Sequence, residues 1–118
     1  NASAGAALAA AMAALGARDP APLWLITGML DTKAAEDFLR PFAPLAAGAI
    51  TVGIPDTAAA IPADVLARRA HAAGLAARPA ASVAQALDAI LAEAPAAPLR
   101  VLICGSLYLA GAVLRENG

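Results

Sequence analysis

Two short segments set glycine beside polar side chains at the end of an apolar run: Thr27-Gly28-Met29-Leu30-Asp31 and Cys104-Gly105-Ser106-Leu107-Tyr108. Each reads as a strand that turns sharply into a helix. The first N–H groups of such a helix have no partner inside it and are free to bind an anion. At the second turn Gly105 permits the tight backbone and Ser106 puts a hydroxyl at the helix start. That hydroxyl has two possible uses: it caps its own helix, a role worth about 1 kcal/mol, or it contacts a ligand. Tyr108, the chain's only tyrosine, is likewise either a buried amphipathic ring or a contact.

Several sharper chemistries fail on spacing. The turn is not G-x-S-x-G, and the single histidine, His71, lies upstream with no ordered Asp partner, which speaks against a Ser-His-Asp hydrolase. His71 stands beside Arg68 and Arg69 on what reads as the solvated face of a helix. Gly105 and Gly111 are too far apart for G-x-G-x-x-G, and no G-x-x-x-x-G-K-[ST] exists to cradle ATP phosphates. Cys104 ends an apolar strand without a cationic neighbour, so it reads as a small buried thiol, not a nucleophile. One His, one Cys and no clustered carboxylates give no metal-ligand spacing. Asp31, Glu36 and Asp37 read as carboxylates favoured by a helix N-terminus.

The elements that must hold these turns alternate. Ser3 can cap a helix to about Leu15, closed by Gly16, with Leu8, Met12 and Leu15 on one face. Leu23 to Thr27, between Pro22 and Gly28, is a short strand apolar on both faces, as in a parallel sheet. A second helix starts at Asp31 or Thr32, turns Ala35, Phe38 and Leu39 inward, and is broken up by Pro41 and Pro44. Ala49 to Ile54 is the second strand, stopped by Pro55-Asp56. A helix from about Ala63 to Ala73, with Val65, Leu66 and Ala70 inward, follows Pro62 and stops at Gly74. Ala76 to Arg78 is a weak strand; Ser82 caps a helix whose Val83, Leu87, Ile90 and Leu91 face in. Leu99 to Cys104 is the strongest strand, and Tyr108 to Arg115 makes a last helix. Strand and helix alternating without hairpin signals predict one α/β domain over 1–118, Rossmann-like, with a mostly parallel sheet covered on both faces.

Composition narrows the partners. With 8 basic and 9 acidic residues the net charge is −1, which leaves no basic footprint for nucleic acid, and 3% aromatics leave no base-stacking surface. The alanine-rich start has no basic n-region and meets Arg18 and Asp19 too soon to span a bilayer, so no membrane role is expected. A single cysteine excludes an internal disulfide and fits a reducing cytoplasm. The chain opens inside what reads as a helix, which implies a domain excised from a longer protein.

As whole segments the chain resembles the C-terminal domain of the folylpolyglutamate synthase/dihydrofolate synthase family of the Mur ligase superfamily. Leu25 to Leu30 followed by Asp31 and Lys33 is similar to that family's GML…DK turn. Phe38 to Leu45 resembles the helix after it, and Val101 to Gly111 its closing strand and helix. The resemblance implies a ligase that uses ATP and Mg²⁺ to join L-glutamate to a folate or dihydropteroate carboxylate through an acyl phosphate. It also implies that the P-loop and most metal ligands lie in a preceding ATPase domain. By the same resemblance Ser106 and Tyr108 lie near the glutamate pocket. Asn1 matches the Asn of an Asp-Gly-x-His-Asn-Pro motif, with Ala2 where proline is usual, or else Asn1-Ala2 is a tag remnant. This piece alone is then expected to bind no cofactor, to lack catalytic activity, and to lack its first strand or strands. The sheet edge so exposed would need cover or a dimer partner. The alternatives are a non-catalytic Rossmann-like module that binds a ligand or a protein, and, more remotely, a hydrolase using Ser106 or Cys104.

Overall fold

The computed structural model describes residues 2–30, 32–94 and 98–105. In chain order the elements are α1 (Ala2–Arg18), β1 (Leu23–Thr27), α2 (Thr32–Leu39), a 3-10 turn (Arg40–Phe42), β2 (Ala46–Thr51), α3 (Ala63–Ala72), β3 (Ala77–Pro79), α4 (Val83–Glu93) and β4 (Arg100–Cys104). The four strands form one sheet in the order β3-β2-β1-β4, and every pairing is parallel. The α/β expectation with a parallel sheet holds.

The period of two along each strand divides the apolar residues between two cores. Leu23, Leu25, Ala49 and Cys104 face α1, α2 and α3, where Phe38, Leu39, Phe42, Leu66 and Ala70 complete the larger core. Trp24, Ile26, Ile50, Val101 and Ile103 face α4, which contributes Ala86 and Ile90. β1 is apolar from Leu23 to Ile26 because it lies between both layers, and only its last residue, Thr27, is polar. Two glycines let elements approach closely. Gly5 brings α1 onto the α2 backbone at Phe38, and a Cβ at Gly48 would stand 2.5 Å from the Trp24 ring that lies across β2.

Some boundaries differ from expectation. α1 runs through Gly16 to Arg18, since Gly16 leaves empty space on an exposed side of the helix, and Asp19-Pro20 ends it instead. β2 occupies Ala46–Thr51 rather than 49–54, because its partner β1 sets the ladder: Leu23 pairs Ala46 and Thr27 pairs Thr51, with a register shift after Leu23. Leu91 does not face in but is 54% exposed. Ala86 and Ile90 fix the buried line of α4, and Leu91 lies a further step around the helix. Glu36 and Asp37 lie beyond the first turn of α2 and are held by cations instead. Glu36 pairs with Arg40 at 3.6 Å and with Arg69 of α3 at 3.3 Å, and Asp37 with Arg40 at 3.1 Å. Ser82 caps α4 as expected, accepting from Gln85 N at 3.1 Å, and Gly74 ends α3 at φ +99°. The predicted helix from Tyr108 to Arg115 lies outside the described residues. No helix among the described residues is long and apolar enough to cross a membrane.

Candidate functional site

The sheet order makes the chain leave β1 in one direction through β2 and β3, then return to lay β4 on the other side of β1. Where strand order reverses, helices depart to opposite faces and leave a crevice beyond the strand carboxyl ends. Gly28 and Gly105, the glycines singled out in the sequence, both lie at this switch point, because Thr27 and Cys104 are partners in register and each glycine follows at once.

The two turns are packed backbone to backbone. A Cβ at Gly105 would stand 2.6 Å from the Gly28 carbonyl oxygen and 2.6 Å from Thr27 Oγ1, and Gly105 adopts φ +113°. Glycine is required there both for the left-handed backbone and for the close approach. The β1 turn is held from the other side as well: Val52 N donates to Thr27 O at 2.9 Å and Ile61 N to Met29 O at 2.9 Å. Buried Met29 anchors the turn in the larger core. A frame this constrained is what a binding turn needs.

Beneath the crevice, Thr51, Thr27 and Cys104 form a row at one register on the three-helix face, all buried. Thr51 Oγ1 donates to Ala63 O at 2.6 Å, tying the end of β2 to the start of α3. Thr27 Oγ1 is buried with no hydrogen-bond partner. Burial pushes the Cys104 thiol up from an ordinary 9.0 to about 12, and the neighbouring Thr27 hydroxyl pulls weakly the other way. That contact falls short of a full hydrogen bond, in keeping with the poor polarity of sulfur. A thiol so shifted stays protonated at neutral pH, which removes Cys104 as a nucleophile and bears out its reading as a structural residue. His71 is exposed, as expected.

Ser106, Tyr108 and Asn1, the residues the sequence offers for ligand contact, lie outside the described residues, as does Asp31. In the sequence Pro55-Asp56 marks only a strand stop. The structure brings the loop that carries Asp56 to the same end of the sheet, pinned through Ile61, with Asp56 exposed at φ 58°. No local pattern could have located it, since its position depends on the pairing of β2 with β1. Among the described residues no group of three or more His, Cys, Asp or Glu could hold a metal ion.

No protein-family model matches the sequence, and no curated protein matches it. Two solved structures of Mycobacterium tuberculosis folylpolyglutamate synthase do share its fold. One, complexed with ADP and AMPPCP, superposes with TM-score 0.72 at 24% identity, covering 95% of this chain and 27% of that one. The other, complexed with ADP, gives TM-score 0.75 at 21% identity, covering 100% of this chain and 28% of that one. Likeness at this identity speaks for the fold. The chain thus has, along nearly its whole length, the fold of a domain-sized part of a folylpolyglutamate synthase, spanning just over a quarter of that enzyme.

Proposed function

We propose that this chain is the C-terminal substrate-binding and closing domain of a cytoplasmic, ATP-dependent ligase. The ligase adds L-glutamate to folates, to dihydropteroate, or to both. The observation that carries the reading is the fold shared along 95% to 100% of the chain with 27% to 28% of a folylpolyglutamate synthase. Two glycine turns packed together at the switch point of a parallel sheet support it, being the framework such a domain needs for one wall of a cleft.

In this reading the substrate carboxylate takes the terminal phosphoryl group of ATP, releasing ADP. The glutamate amine then attacks the acyl carbon and expels phosphate, leaving an amide. Phosphates and Mg²⁺ belong to the preceding ATPase domain, because this chain has no P-loop and its described residues no metal cluster. Its own task is to receive and orient glutamate at the Gly105 turn, through Ser106 and Tyr108. Where Asn1 is the Asn of the Asp-Gly-x-His-Asn-Pro motif, it faces the same cleft. Alone, the domain is catalytically inactive.

The test is steady-state kinetics of the full-length protein. Ser106→Ala should raise KM for L-glutamate more than KM for ATP, as loss of a ground-state contact to one substrate does. Equal effects on both substrates, or none, would remove Ser106 from the pocket. A full-length protein without a P-loop upstream of Asn1 would sink the ligase reading as a whole.

A further inference from the structure

Along β2 and β3, beside the C-terminal ends of α3 and α4, a cavity of about 230 Å³ is lined by Trp24, Gly48, His71, Arg78 and Glu93 among others. None of its lining residues belongs to the two glycine turns of the switch point, and it has no part in the function proposed above. Drug-sized sites run from roughly 300 to 1,000 Å³, so any occupant here is small.

The floor is apolar. Trp24 lies over β2, where Gly48 has no side chain to push it away, and the ring is partly buried against the smaller core. The lining holds one carboxylate, Glu93, one guanidinium, Arg78, and His71, and the helix ends add to the negative side. In a parallel α/β fold the helices end where the strands begin, so their negative dipole ends point this way. His71 comes from the last turn of α3 and Glu93 is the last residue of α4, and both line the cavity. Glu93 adds a full negative charge to the end of α4. Arg78, from β3, already pairs with Glu93, with both side chains about half exposed at 47% and 44%. The position therefore accepts a cation, and an exposed pair of this kind exchanges at little cost. An anion would meet an arginine already neutralised and two helix ends of the wrong sign.

We propose that this cavity binds a small organic cation with an apolar body, the charged head on Glu93 and the body against the Trp24 ring. Arg78 is the internal cation that the ligand displaces. Aromatic faces attract cations and apolar groups alike, so indole and carboxylate together select this class of ligand over a neutral or anionic one.

Calorimetric titration of the full-length protein with phenethylammonium, 2-phenylethanol and 3-phenylpropionate separates charge from shape. The ammonium ion should bind about three- to fivefold more tightly than the other two. Glu93→Gln should weaken it by a similar factor, and Arg78→Ala should tighten it by removing the competitor. Glu93 and Arg78 are surface residues, so these variants are expected to fold, and circular dichroism checks that they do. Saturating ATP and L-glutamate should leave the affinity unchanged, because none of the cavity's lining residues belongs to the glycine turns of the crevice. Preference for 3-phenylpropionate, no ammonium binding below about 10 mM, indifference to Glu93→Gln, or competition by ATP or glutamate would each overturn the proposal.

Discussion

A methyl group at position 105 would meet the Gly28 carbonyl oxygen and the Thr27 hydroxyl at 2.6 Å each, on a backbone held at φ +113°. The left-handed backbone costs a non-glycine residue about 1 to 2 kcal/mol, and overpacking adds about 1 to 3 kcal/mol. Gly105→Ala is therefore expected to lower stability by about 2 to 5 kcal/mol, read from chemical denaturation midpoints. A loss under about 0.5 kcal/mol would mean that the two turns are not packed as described. Cys104 gives a second test at this scale. Its folded thiol titrates near 12 and an ordinary one near 9.0. Between those values the unfolded chain has lost the proton that the folded chain keeps, so this group's contribution to stability falls as pH rises from about 9 to about 12. Cys104→Ala should flatten that part of the stability profile. At neutral pH the native thiol should resist iodoacetamide and react once denaturant is added; equal rates in both states would contradict the buried, protonated thiol.

At the scale of elements, neighbouring residues of α4 have opposite fates. Ile90 is fully buried and Leu91 is 54% exposed. Ile90→Ala should cost about 2 to 4 kcal/mol through lost burial and a cavity, while Leu91→Ala should stay within about 0.5 kcal/mol. Thermal melts of the two variants, or a similar cost for both, decide whether the helix has this rotation. The periodic pattern of Val83, Leu87, Ile90 and Leu91 could not make that distinction, because an apolar stripe on an alanine-rich helix is wider than the surface it covers. β1 was legible to the residue, bounded by Pro22 and Gly28 and buried on both faces. β2 was not, because Ala46-Ala47-Gly48 carries little strand character of its own and becomes strand by pairing with β1. The glycine turns of the candidate site were legible as local backbone signals. That they meet was not, since Gly28 and Gly105 are brought together by the crossover of the chain.

For the whole molecule, the ligase reading predicts that the isolated chain hydrolyses no ATP, with or without L-glutamate and folate, while the full-length protein forms the amide. A phosphate-release assay on both checks this, and turnover by the isolated chain would contradict the division of labour between domains. What the sequence by itself determined is the class of fold: alternating apolar runs and amphipathic helices admit few arrangements other than a parallel sheet between helical layers. It also marked one glycine after each of two strands and favoured a buried thiol at Cys104, which the structure buries. Only the tertiary structure decided the order β3-β2-β1-β4, and with it which two turns share a crevice. It alone decided that Trp24, His71, Arg78 and Glu93 surround one cavity beside the C-terminal ends of α3 and α4. The physical reason is the same in both cases. Periodicity and turn chemistry act over a few residues, whereas contacts between strands depend on register and strand order, which are settled by how the layers bury their surfaces together.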